Sequence, residues 1–193
     1  MAIQERRARQ RVERERRIIG AARELAERDG WEAVTTRRLS DAIEYSQPVL
    51  YSHFPDGKAG IAAALALEGF AELAGAVRER RGSARSARSM MNRLAEAYLE
   101  FAATNPELYR IMFSAPTTLV FADDTTPGPL REAYDEVLAS VLPSAGDHHP
   151  ETYAEVVWSS LHGLATLARD GRLSAGNPTA RVKVLVDRFA GPS

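Results

Sequence analysis

The chain has 193 residues and a mass of 21.2 kDa, room for one domain or two small ones, and 45% of its residues are apolar, enough for a core. A formal net charge of −1 excludes a polycation. The absence of cysteine excludes a disulfide scaffold, a thiolate metal site and a cysteine nucleophile. No apolar run reaches the roughly 18 residues of a membrane-spanning helix, so none is expected. Residues 1–17 have no apolar stretch of the kind a secretory signal needs, and Glu5, Glu13 and Glu15 are foreign to an organellar presequence. The expectation is a cytoplasmic, all-α protein.

Charge is unevenly spread. Residues 1–17 carry seven arginines against three glutamates, a local balance of +4, whereas residues 61–193 balance at −3. A basic head on an acidic body suits a polyanionic partner. The alternative is a solvated helix face laced with pairs such as Glu13 and Arg17 at helical spacing.

Ile18, Ala22, Leu25 and Ala26 recur at helical spacing until Asp29 and Gly30, which predicts helix 1 over 10–29. Thr35 is the N-cap of a short helix 2 over 36–43 with Leu39, Ala42 and Ile43 inward. Ser46 is the N-cap of helix 3, with Pro48 in its first turn, where a missing N–H costs nothing, and Pro55, Asp56 and Gly57 end it. Helix 4 runs over 58–81, helix 5 over 85–104, and Asn105-Pro106 opens helix 6 with Leu108, Ile111, Met112 and Phe113. Residues 114–127 read as a loop, followed by helix 7 over 128–142, a loop over 143–150, helix 8 over 151–170 and helix 9 over 179–190. No segment alternates with period two, so about nine helices account for the chain.

Two short helices behind a longer one make a helix-turn-helix, whose second helix enters the major groove and reads bases with its first turn. Gln47, Pro48 and Val49 occupy that turn. Glutamine can pair with adenine in bidentate fashion, and apolar groups can meet the thymine methyl. Tyr51, Ser52 and His53 suit phosphate oxygens, and Lys58 opens the next helix, where its charge and the free N–H groups both favour phosphate. Thr35, Thr36, Arg37 and Ser46, at the starts of helices 2 and 3, complete the DNA-binding candidates.

The stretch Ala21-Ala22-Arg23-Glu24-Leu25, then Gly30-Trp31, Thr35-Thr36 and Pro48-Val49-Leu50-Tyr51-Ser52-His53-Phe54-Pro55, resembles the TetR family of bacterial transcriptional repressors. The match covers about 45 residues, and the second half of the chain agrees in helix number and length. Trp158, His162 and Gly163 look like a Trp-x-x-x-His-Gly pattern found in one TetR subgroup. Two positions depart from the family. Many members have glycine in the turn, and Glu44 stands near that place; if the position has φ > 0 glutamate costs about 1 kcal/mol, and otherwise the turn takes another conformation. Lys58 falls one residue later than in many relatives.

The resemblance implies an arginine-rich arm over 1–17, a DNA-binding domain over 18–61 and a regulatory, dimerising domain over 62–193. It implies a homodimer through helices 8 and 9, a double-stranded operator and a small-molecule ligand of unknown identity, with no cofactor and no membrane partner. Ligand candidates are Tyr98, Phe101, Tyr109, Met112, Phe113, Phe121, Trp158 and His162, of which His162, Tyr98 and Tyr109 could supply the few polar groups of an apolar pocket. The arm would add phosphate or minor-groove contacts. His148 and His149 lack a helical ligand spacing, so no metal site is expected. The alternative function is an all-α ligand carrier or enzyme with a vestigial DNA-binding head.

Overall fold

In a computed structural model, residues 2–115, 119–120, 123, 125–174 and 176–191 are described. Among these residues the secondary structure is helical throughout, with no strand. The α-helices are α1 (Ala2–Asp29), α2 (Thr36–Ile43), α3 (Gln47–His53), α4 (Lys58–Arg81), α5 (Ala87–Thr104), α6 (Pro106–Ser114), α7 (Gly128–Val141), α8 (Pro150–Arg169) and α9 (Pro178–Phe189). Short 3-10 turns cover Trp31–Ala33 and Leu142–Ser144. The element order follows the apolar periodicity closely.

The main difference is at the start. The sequence predicts helix 1 over 10–29, ahead of the apolar spacing that begins at Ile18, but α1 starts at Ala2. Residues 4–14 are exposed all round, so no buried stripe marks them. Their helicity rests instead on good helix formers without glycine or proline, and on pairs such as Arg11 to Glu15 at 3.0 Å.

The chain forms two compact units, Met1–Gly69 with Pro106–Asp123, and Phe70–Asn105 with Asp124–Ser193. In the first, Ile18, Ala22, Leu25, Trp31, Val34, Leu39, Leu50, Ile61, Leu65, Leu108 and Ile111 are all buried. Burial of each large aliphatic side chain contributes about 1.5–3 kcal/mol. The carboxylate of Glu27 accepts the backbone N–H of Leu108 at 2.9 Å and of Glu107 at 3.2 Å, capping the first turn of α6. The Glu107 carboxylate in turn accepts the Trp31 N–H at 2.8 Å. These three bonds tie α1, the turn at Gly30 and α6 together. Gly69 lies against Met112, where an added Cβ would come within 2.6 Å of Sδ.

In the second unit Met91, Leu94, Tyr98 and Phe101 of α5 face a core shared with Leu130, Val137 and Val141 of α7, Val157 and Leu161 of α8, and Leu185 and Val186 of α9. Glu136, nearly buried, meets Arg78 and Arg81, each at 2.7 Å. Arg88 binds the Asp187 carboxylate and the Gly191 carbonyl. α4 is long and apolar enough by composition to cross a bilayer, with a mean hydropathy of 1.5 over its best window. Half of that window is buried, and its buried residues Ile61, Leu65, Phe70, Leu73 and Val77 repeat at helical spacing, the pattern of a core helix.

Candidate nucleic-acid interface

The reading unit is built from local chemistry. Thr35 caps α2 from an extended backbone, and its Oγ1 accepts the Arg38 N–H at 3.2 Å. Leu39 and Ile43 anchor α2 inward. The helix then stops on Glu44, whose φ of 57° and ψ of 34° are left-handed, and whose N–H closes on the Ser40 carbonyl. The glycine-like position expected in the turn therefore exists, and glutamate occupies it. Ser46 stands at the N-cap of α3 with extended φ and ψ, though its hydroxyl makes no capping bond.

α3 buries Leu50 completely, and Phe54 follows at 9% exposure. Its other side is open. Gln47, Pro48, Tyr51 and Ser52 are exposed, and Val49 is half-buried. Tyr51 keeps 46% of its surface, although its ring lies along the turn at Gly57, where an added Cβ would sit 3.3 Å from Cε1. Ser52 Oγ donates to the Val49 carbonyl at 2.6 Å. Thr35, Arg37 and Ser46 are also exposed, and Thr36 is half-buried.

Two candidates point elsewhere. The His53 side chain is only 5% exposed, with Nδ1 3.2 Å from Glu15 Oε1 on α1. It braces α3 against α1 rather than presenting itself to a phosphate. Lys58 Nζ donates to the Trp31 carbonyl at 2.8 Å and sits 4.9 Å over the Trp31 ring. The carbonyl that opens the 3-10 turn and an aromatic face together hold the ammonium, and the side chain stays 35% exposed.

The neighbourhood includes residues that the sequence reading missed. Arg38 bonds the Ala33 carbonyl at 3.1 Å and pairs with Asp29. Hydrogen bonds from Arg28 and then Arg38 draw the Asp29 carboxyl down to about 2. Both arginines of α2 are exposed, but Arg38 is tied to Asp29 and the Ala33 carbonyl. Arg17 stacks over Tyr45 at 5.3 Å, and Arg11 Nη2 donates to the Ser52 carbonyl at 3.4 Å. These contacts join positions 28 and 41 residues apart, which no local pattern reveals.

The ligand candidates divide between the units. Tyr109 and Met112 are buried in the first and Phe113 is half-buried, its ring 4.8 Å from that of Tyr109. Tyr98 and Phe101 are buried in the second. Trp158 Nε1–H donates to the Tyr98 hydroxyl at 2.9 Å, so these two ligand candidates bond each other. His162 is half-buried, 3.4 Å from Thr166 Oγ1. Burial first, and the charge of Arg169 second, hold its pKa below the usual histidine range. Phe121 lies outside the described residues. His148 stacks on Tyr153 and His149 is exposed near Glu151.

Residues 18–65 match the family model described as bacterial regulatory proteins of the tetR family, and residues 91–189 match the tetracyclin repressor-like C-terminal domain. The chain belongs to the TetR family. It is a DNA-binding transcriptional regulator, and the family match does not favour the carrier or enzyme alternative. An uncharacterised HTH-type transcriptional regulator of Bacillus subtilis strain 168, YobS, is 38% identical over 96 residues, 48% of this chain and 47% of that one. The match therefore spans about half the length of that curated relative. A protein of unknown function from Rhodococcus sp. RHA1 superposes with a TM-score of 0.75 at 26% identity, covering 91% of this chain and 92% of the other. A TetR variant from Acinetobacter baumannii AYE, solved with minocycline, shares the fold at a TM-score of 0.61 and 20% identity over 90% of both chains.

Proposed function

We propose that this TetR-family regulator is a cytoplasmic homodimeric repressor, released from a palindromic operator by a small hydrophobic or aromatic ligand. The observation that carries the reading is the exposed first turn of α3, Gln47 to Val49, followed by exposed Tyr51 and Ser52 on a helix anchored by Leu50 and Phe54. Gln47 and Val49 would meet base edges. Tyr51, Ser52, Thr35, Thr36, Arg37 and Ser46 would meet the backbone, with Pro48 shaping the turn. His53 and Lys58 hold this surface in place from within. The division into an arm over 1–17, a head over 18–61 and a body over 62–193 follows the same reading.

Dimerisation through α8 and α9 is supported by apolar surface. Val156 and Leu167 on α8 and Val184 on α9 are 50%, 40% and 60% exposed. An open groove of about 580 Å³ runs between these helices beside Leu164, Val184, Leu185 and Phe189. A two-fold pair would set two reading helices about one DNA turn apart. The ligand would bind the DNA-competent and incompetent dimers unequally, which is the only way it can shift their populations. The Acinetobacter relative binds minocycline, an aromatic polycycle, which agrees with the class inferred from Tyr98, Phe101, Tyr109, Met112, Phe113, Phe121, Trp158 and His162.

The test is footprinting on the DNA upstream of the protein's own gene. Gln47→Ala and Tyr51→Ala should each abolish protection while both variants still sediment as dimers. Unaltered footprints from both would remove α3 from the interface.

A further inference from the structure

The N-terminal half of α1 carries the densest charge in the chain and has no core to serve. Arg7, Arg11, Arg14 and Arg17 recur at i, i+4, i+7 and i+10, so they share one side of the helix. Three contacts dock this side against the reading unit: Arg11 on the Ser52 carbonyl, Glu15 on His53, and Arg17 over the Tyr45 ring. Glu15, the acid nearest the stripe, is engaged by Arg11 at 3.0 Å and His53 at 3.2 Å. Glu5 stands on the other side of the helix, and Glu13 lies one turn before Arg17 at the edge of the stripe. Arg7 and Arg14 are exposed, and among the described residues neither has a hydrogen-bond or ion-pair partner.

We propose that the extension of α1 is a preformed phosphate rail, in which Arg7 and Arg14 bind the DNA backbone flanking the bases read by α3. This inference rests on the DNA-binding reading above and decides what the arm does. A helix with side chains is about 10–12 Å across, whereas the minor groove is about 6 Å wide. The helical extension therefore cannot thread the minor groove as an unstructured arm can, and its arginines meet phosphates at the groove rim. Its docking on Ser52, His53 and Tyr45 holds it beside the reading helix, so little ordering entropy is lost on binding. Arg7 and Arg14 lie about 10 Å apart along the helix axis. Each adds charge without sequence preference.

The stripe has a built-in control. Arg9 and Arg16 have the same seven-residue spacing but stand on the opposite side of α1. Salt-dependent binding is measured with the full chain on two probes, a duplex from upstream of its own gene and a random duplex of equal length. Each phosphate contact contributes about 0.9 to the slope of log K against log salt. Arg7→Gln with Arg14→Gln should flatten the slope by about 3.6 for a dimer on the upstream duplex, where both arms lie on the backbone. Between 50 and 200 mM salt the wild type should then lose on the order of 10²-fold more affinity than the variant. Arg9→Gln with Arg16→Gln removes the same charge and should change the slope by less than about 1. Arg7→Lys with Arg14→Lys should keep the wild-type slope, because a phosphate needs only the cation.

Equal flattening by both glutamine pairs would replace the rail with a diffuse field and overturn the proposal, as would no flattening by either. Affinity that tracks A·T content in the flanks would move the contact into the minor groove and overturn it too. A wild-type protein that binds neither duplex overturns the DNA reading itself, and the rail with it. Loss of footprint in Tyr51→Ala with an intact salt effect of Arg7 and Arg14 on the random duplex supports the rail independently of base reading.

Discussion

Glu44 offers a direct measurement of backbone strain in the turn between α2 and α3. Its φ of 57° is the one positive value outside glycine among the described residues, and its side chain is exposed with no hydrogen-bond or ion-pair partner there. A residue with a Cβ in this region costs about 1–2 kcal/mol. Glycine relieves that cost but adds freedom to the unfolded chain, worth about 0.4–1 kcal/mol. Glu44→Gly should therefore be modestly stabilising against wild type. The cleaner comparison is with Glu44→Ala, which removes the same carboxylate but keeps the Cβ. Glycine should exceed alanine by about 1 kcal/mol, a difference in Tm of roughly 2–4 °C for a chain of this size. Thermal melting of the three proteins by circular dichroism reads it. Both substitutions remove one negative charge near the reading helix, so their DNA affinities should change together at low salt. Identical melting of the glycine and alanine variants would refute the strain argument.

Two further outcomes follow from packing and titration. Gly69→Ala would push a Cβ to 2.6 Å from Met112 Sδ and 3.2 Å from Leu108 Cγ, so it should cost about 1–3 kcal/mol in urea unfolding. Met112→Ala in the same chain should recover much of that, and additive losses in the double variant would show that the two do not touch. His162 has a pKa lowered by burial, so the unfolded chain binds a proton more readily than the folded one as pH falls below about 6.5. Its neutral form is therefore compatible with full stability above that pH, and stability declines as the pH drops through the histidine range. His162→Gln should flatten the fall in Tm between pH 7 and pH 5, and an unchanged fall would assign the acid sensitivity to other groups.

The helices were legible because most of them bury a stripe, and a stripe has a period that a sequence displays. Thr35 as a cap was legible for the same kind of reason, since capping is a local demand, whereas the sequence left two conformations open for the turn at Glu44 and the structure takes the left-handed one. The first eight residues of α1 had no such mark. Residues 4–9 are exposed, and the contacts that hold this segment come later, at Arg11, which pairs with Glu15 and reaches the Ser52 carbonyl. Lys58 bonds a partner 27 positions away, the Trp31 carbonyl, which no local pattern reveals. Tyr98 was offered to a ligand, although Trp158, 60 positions on, already occupies its hydroxyl. Local patterns report periodicity and caps, whereas the commitment of a polar group is decided by what folds against it.

The string from Leu50 to Phe54 shows how far periodicity alone could have gone. A helix of seven residues is far below the length that is stable in isolation. α3 must therefore use part of its short sequence as anchor. Leu50, His53 and Phe54 stand at i, i+3 and i+4, the inward spacing, and they are the residues found at 0%, 5% and 9% exposure. Of the remaining positions Gln47, Pro48, Tyr51 and Ser52 face solvent and Val49 is half-buried. A family string treated as one functional block assigns all of its polar members to DNA. The helical step separates them instead: a histidine beside a leucine and a phenylalanine on the inward side belongs to the scaffold. Its imidazole requires a buried partner, and α1 supplies Glu15. The same segment of α1 presents Arg7, Arg11 and Arg14 on the side of Glu15, so the element that stabilises the reading helix is also the one placed to extend its grip on the backbone.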